Sequence, residues 1–139
     1  MSLTLNLDFE YNTSIEKLWN AITDADKLAK WVVDIRSGQA MENNFKPVVG
    51  HQFQFRAQPT EYWSGIIEGE VLVVEAPHRL SYTWASGETH TVTWTLQKLG
   101  DGKVKLHLEQ TGISSEPARA GAKHGWTKWL GELEKALEQ

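Results

Sequence analysis

The sequence predicts an α+β fold in which a curved antiparallel sheet of about six or seven strands wraps around one long C-terminal helix, with two short helices after the first strand. Three observations predict it. Nearly every extended segment alternates apolar and polar residues with a period of two, so each strand has one buried and one wet face. Only the last stretch, residues 115–139, carries a long helical apolar stripe. Between residues 50 and 110 the extended segments are joined by turn signals, which makes them a meander.

Leu3, Leu5, Leu7 and Phe9 alternate with Thr4, Asn6, Asp8 and Glu10, the pattern of a half-buried strand. Thr13 stands three residues before Glu16 in capping-box spacing, and Ile15, Leu18, Trp19 and Ile22 form the stripe of the helix that follows. Asp24 caps a second short helix through Leu28 to about Trp31. From 32 to 49, Gly38, Asn43, Asn44 and Pro47 break any period, which predicts a loop with at most one short strand, placed to act as a flexible lid.

Gly50 opens a strand in which Phe53 and Phe55 alternate with Gln52, Gln54 and Arg56, ended by Gln58-Pro59-Thr60. A longer strand over 62–75 places Trp63, Gly65, Ile67, Gly69, Val71 and Val73 on one face, with Gly65 and Gly69 suited to a bend or bulge. After the Ala76-Pro77-His78 turn, Leu80, Tyr82 and Trp84 alternate with Ser81, Thr83 and Ala85. Beyond Ser86-Gly87, His90, Val92, Trp94 and Leu96 oppose Thr91, Thr93 and Thr95. Gly100-Asp101-Gly102 is a hairpin turn, and the last strand sets Val104, Leu106, Leu108 and Gln110 against Lys103, Lys105, His107 and Glu109.

In the terminal helix Trp126, Trp129, Leu130, Leu133 and Leu137 follow the spacing i, i+3, i+4, i+7, i+11. The preceding turns carry only Ala118, Gly121, Ala122 and Gly125 on that stripe. Such a taper leaves a gap over the sheet, or else allows close helix-to-sheet packing with no void. Glu132, Glu134 and Glu138 with Lys128 and Lys135 make a solvated face with i, i+3 and i, i+4 pairs.

A chain of 139 residues, 40% hydrophobic and 23% charged, is one domain, residues 1–139, and no apolar run approaches the roughly 18 residues that cross a bilayer. The N-terminus has neither a basic region nor a continuous apolar segment, so no signal peptide is expected and cytoplasmic residence is the default expectation. No membrane partner is expected. With no cysteine there is no disulfide, Cys-based zinc site or thiol nucleophile. A net charge of −4 with scattered basic residues argues against a nucleic-acid surface. His51, His78, His90, His107 and His124 lack HxH or HExxH spacing, so no metal site is expected. No Gly-rich nucleotide motif, GxSxG elbow or paired-carboxylate signature is present, so no catalytic residue and no cofactor are assigned.

Four segments carry a resemblance. They are Ile15-Glu16-Lys17-Leu18-Trp19-Asn20-Ala21-Ile22-Thr23-Asp24 followed by Lys27-Leu28-Ala29-Lys30-Trp31; Pro77-His78-Arg79-Leu80-Ser81-Tyr82-Thr83-Trp84; Val92-Thr93-Trp94-Thr95-Leu96; and Gly125-Trp126 with Leu130 and Leu133. In this order the chain resembles the START-like (SRPBCC) superfamily with its helix-grip fold, and within it the bacterial relatives of the C-terminal domain of the activator of heat shock protein 90 ATPase. The chain has the length of that domain alone, so a separate N-terminal domain like that of the eukaryotic proteins is not expected.

The resemblance implies a deep, mostly apolar cavity between sheet and terminal helix. Phe53, Phe55, Trp63, Ile67, Tyr82, Trp84, Val92, Trp94, Leu106 and Leu108 would face it from the sheet, and Ala118, Gly121, Ala122 and Gly125 would form the helical wall. Trp126 and Trp129 would seal one end. Tyr82 and His90 are the polar groups whose strand parity points inward, and Trp31 would flank the mouth. Seven Trp, four Phe and three Tyr serve an ordinary core equally well. Asp34 and Arg36 lie in the loop, as ligand contacts or as solvated loop charges.

Three functions follow from the resemblance. The first is noncatalytic binding of a small hydrophobic or aromatic molecule, such as a lipid, polyketide or flavonoid-like compound. The second is interaction with a chaperone. The third is a polyketide cyclase-like enzyme with Tyr82 and His90 as acid-base candidates.

Overall fold

The computed structural model describes residues 2–34, 37–61 and 63–138. Arg36 of the loop, Tyr62 at the start of the expected long strand and Gln139 of the terminal helix lie outside the described residues. The elements run β1 (Leu3–Asn12), α1 (Ile15–Thr23), α2 (Ala25–Leu28), β2 (Glu42–Asn43), β3 (Gln52–Arg56), β4 (Ile66–Glu75), β5 (Arg79–Ser86), β6 (Glu88–Gly100), β7 (Lys103–Ile113) and α3 (Glu116–Leu137). The seven strands form one antiparallel sheet in the order β1-β7-β6-β5-β4-β3-β2. The fold is therefore α+β, a curved meander with a long terminal helix and two short helices after the first strand.

Alternation decides which face is buried. Leu5 and Tyr11 of β1, Phe53 and Phe55 of β3, Leu80, Tyr82 and Trp84 of β5, Val92, Trp94 and Leu96 of β6, and Val104, Leu106 and Leu108 of β7 all enter one core. The register matches apolar to apolar, with Leu7 opposite Leu108, Phe9 opposite Leu106, and Trp94 opposite both Leu80 and Leu108 on its two neighbours. The second half of α3 closes this core through Trp126, Trp129, Leu130, Leu133 and Leu137. Hydrogen bonds to its main-chain carbonyls help fasten it, from the Tyr11 hydroxyl to Leu130 at 3.0 Å and from Lys17 Nζ to Leu137 at 2.7 Å.

Local chemistry departs from the sequence expectation at four places. The first helix is capped by Ser14, whose hydroxyl accepts from the Lys17 N–H, and not by Thr13, whose Oγ1 is buried without a partner. The expected strand over 62–75 begins at Ile66, because Gly65 takes a positive φ of 81° and turns the chain there. In β4 the register against β5 shifts between Val71 and Val73, so Val74, and not Val73, packs on the core. Just before that shift Gly69 lies against the Thr83 carbonyl and the Phe53 ring, in space that a Cβ would have to share. Strand and bulge together bend the sheet.

The fourth departure is the loop before β3. Met41 and Phe45 are buried, and Phe45 meets the rings of Phe53 and Tyr82 with centroids at 5.1 and 5.8 Å. Asn43 Nδ2 donates to the Ala25 carbonyl at 3.1 Å. This part of the loop is core and edge strand rather than a free lid, since two apolar anchors outweigh the break in periodicity that Asn43, Asn44 and Pro47 impose.

Candidate functional site

The interior between sheet and α3 is occupied by touching aromatic rings. Trp84 stands at their centre, with centroids 5.3 Å from Trp126, 5.7 Å from Phe55, 5.9 Å from Tyr82 and 6.0 Å from Trp129. Trp94 meets Trp31 and Trp126 edge-on at 6.1 and 5.4 Å. Their polar edges are satisfied inside: Trp31 Nε1 donates to the Ala21 carbonyl, Trp94 Nε1 to the Tyr82 hydroxyl and Trp129 Nε1 to the Val33 carbonyl, all at 2.7–2.8 Å. Burial pushes the Tyr82 hydroxyl far above its ordinary pKa of 10, against the lowering effect of the Trp94 hydrogen bond.

Space opens where the taper of α3 begins. A cleft of about 560 Å³ is lined by Trp84, Ser86, Glu88, His90, Gln110, Ser114, Ala118 and Ala122. It lies between the β5–β6 hairpin, the end of β7 and the first half of α3. A smaller depression, of about 220 Å³, is walled by Glu42, Asn43, Asn44, Gln54 and Arg56, without an aromatic ring.

One wall of the cleft is a chain of hydrogen bonds. Trp126 Nε1 donates to Gln110 Oε1 at 2.7 Å, Gln110 Nε2 faces His90 Nδ1 at 2.6 Å, and His90 Nε2 faces Glu88 Oε1 at 2.6 Å. The main-chain N–H of Ser114 also donates to Glu88 Oε1, at 3.3 Å. Hydrogen bonds from the Ser114 side chain, from His90 and from the Ser114 main chain, in that order, hold the Glu88 carboxyl below its ordinary value. Gln110 is 2% exposed, a buried amide whose acceptor and donor ends are both used. At the rim, Trp63 Nε1 donates to Ser86 Oγ at 3.1 Å.

Of the residues singled out from the sequence, the fold brings Trp84, His90, Ala118 and Ala122 to the cleft. Trp126 and Trp129 lie against Trp84, behind it. Trp31, Phe53, Phe55, Ile67, Tyr82, Val92, Trp94, Leu106 and Leu108 are buried in the shared core and line no part of this cleft. Trp63 is half-buried at the rim and Gly125 is half-buried on α3. Gly121 is exposed, and a Cβ built there would meet nothing within 4 Å, so it lies off the face that α3 turns to the sheet. Asp34 is half-buried in the loop and does not line the cleft.

Glu88, Gln110, Ser86 and Ser114 were not singled out by sequence reasoning. The signal available for Gln110 was its position on the apolar side of β7, where an amide requires partners. Glu88 carried no such signal, because a carboxylate beside a turn glycine reads as solvated.

Residues 12–138 match the Activator of Hsp90 ATPase homolog 1-like protein family. No curated protein matches the chain. Among solved structures, protein MLL2253 of Mesorhizobium loti is 32% identical, with a TM-score of 0.83 and 98% of this chain and 97% of that chain covered. PFC0360w, an HSP90 activator from Plasmodium falciparum, is 24% identical, with a TM-score of 0.77 and coverage of 97% and 96%. DynU16, from the dynemicin biosynthetic locus, is 21% identical with a TM-score of 0.79, covering 98% of this chain and 47% of that one. The last two share the fold. Among the described residues no helix is long and apolar enough to cross a membrane. With the family matched across nearly its whole length, and the meander, short helices and terminal helix in place, the chain belongs to the Activator of Hsp90 ATPase homolog 1-like protein family.

Proposed function

We propose that residues 1–139 are a single ligand-binding domain that holds a small hydrophobic or aromatic molecule, without transforming it, in the cleft between the β5–β6 hairpin and the first half of α3. The observation that carries this reading is the pairing of an apolar wall, Trp84 with Ala118 and Ala122, with a prearranged polar one, Glu88–His90–Gln110. Small-molecule sites have this makeup, with apolar surface for affinity and a few placed polar groups for orientation. The location of DynU16 in a biosynthetic locus is consistent with a fold that handles such compounds.

The noncatalytic part of the reading rests on the two acid-base candidates. Both ring nitrogens of His90 are engaged, one with Gln110 and one with Glu88. Tyr82 is buried away from the cleft, accepts a hydrogen bond from Trp94, and its hydroxyl resists ionisation. Neither is placed to pass a proton to a guest in the cleft.

Heteronuclear NMR titration with a panel of planar aromatic and lipid-like compounds tests the binding. Saturable shifts at the Trp84 and Trp126 indole signals, with Ala118 and Ala122 moving together, are the expected result. No saturable shift for any compound would overturn the reading.

The family match favours a second reading, interaction with a chaperone of the Hsp90 class. Stimulation of the chaperone's ATPase by the added chain would establish it, and an unchanged rate across a titration would remove it.

A further inference from the structure

We propose that the cleft selects guests whose polar end is a hydrogen-bond donor, a protonated amine above all, over guests that end in a carboxylate; this rests on the small-molecule binding proposed above. Trp84 and Ser86 of β5 lie directly opposite His90 and Glu88 of β6. The tight turn at Gly87 therefore sets an indole, a hydroxyl, an imidazole and a carboxylate on one side of a hairpin.

The direction of the hydrogen bonds is decided from the back of the cleft. An indole N–H only donates, so Gln110 Oε1 must accept from Trp126 and the Gln110 amide N–H must face His90 Nδ1. His90 Nδ1 is then the acceptor, and His90 donates through Nε2–H to Glu88. The imidazole has no N–H left for a guest.

The Ser86 hydroxyl, which accepts from Trp63, can still donate, but the charged group that faces the cleft with capacity to spare is the Glu88 carboxylate, an acceptor-only group whose side chain is 39% exposed. It is the only Asp, Glu, Lys or Arg among the described residues that line the cleft. A carboxylate guest would meet like charge there without a cationic partner. An ammonium would meet an anion on one side and the Trp84 indole, a favourable surface for a cation, on the other. A hydroxyl donor falls between them.

Three probes sharing one ring system separate the terms: 2-naphthylmethylamine, 2-naphthylmethanol and 2-naphthoate, titrated at neutral pH while the Trp84 and Trp126 indole signals are followed. The amine should bind about five- to ten-fold tighter than the carboxylate, with the alcohol between, the size expected of one half-exposed ion pair plus a cation–aromatic contact. Glu88→Gln should bring the amine down to the alcohol and raise the carboxylate towards it. Saturable binding of all three with no order among the heads, or a preferred carboxylate, overturns this inference and leaves the binding reading standing. An order that survives Glu88→Gln likewise overturns it. Absence of saturable binding by every probe overturns both.

Discussion

Gln110 sits on the apolar side of β7 and holds Trp126, sixteen positions further on, to His90. Its replacement by Leu keeps the volume roughly and removes both ends of the bridge, leaving a buried indole N–H without an acceptor. A loss of about 1–3 kcal/mol is expected, read from urea denaturation, because an orphaned buried donor costs more than the bond itself is worth. The Trp126 indole N–H signal should also move. On the outer face, the hydrogen bond from His107, with smaller Coulombic help from His107 and Lys105, holds the Asp8 carboxyl below its ordinary value of 3.8. A group lowered on folding stabilises above its unfolded value, and that contribution disappears as pH falls through the folded one. Asp8→Asn should therefore be less stable than wild type near neutrality, with the difference shrinking as pH falls below the ordinary carboxylate range in thermal melts. Strand parity made Gln110 visible as an inward residue. Its partners were not visible, since contacts to β6 and α3 depend on register and helix placement.

The α3 helix divides its work along its length. Leu133 is wholly buried, and Leu133→Ala should cost about 2–5 kcal/mol in a denaturation experiment. Ala122 lines the cleft and is half-buried, so Ala122→Leu should abolish binding of an aromatic probe with a far smaller stability change. Gly121 is exposed in the helix interior with open space around its Cα, and Gly121→Ala should stabilise by about 0.5–1 kcal/mol through helix propensity. The heavy half of the stripe was legible because large apolar residues at i, i+3, i+4 and i+7 have one physical use. The light half was only partly legible. Small residues do not mark the face on which they lie, so Ala118 and Ala122 proved to be the wall while Gly121 lies outside it.

At the scale of the whole molecule the aromatic rings join α3 to β5 and β6, and β1 pairs with β7, the last strand. Ring contacts that run from Phe45 through Trp84 to Trp129 join the buried side chains of the described residues into one core. Thermal unfolding followed by far-UV and near-UV circular dichroism should therefore give coincident transitions. Two separate transitions would show that α3 comes away while the sheet stays folded.

The sequence by itself determined most of the strands, their buried faces up to the β4 bulge, the two short helices, the long terminal helix and the family. Each follows from local periodicity or from motifs spread along the chain, and both are properties of order along the backbone. Only the tertiary structure decided how the interior is used. Trp94, Tyr82 and Phe53 point inward in either case, and whether they line a void or fill it depends on how closely helix and sheet approach. The rings fill it, and the open space is displaced to the end of α3 where Ala118 and Ala122 lie. The polar wall of that cleft, Glu88 with His90 and Gln110, comes from two strands and is held by a residue of a helix. Its distances are set by sheet register and helix docking, which no spacing along the chain encodes.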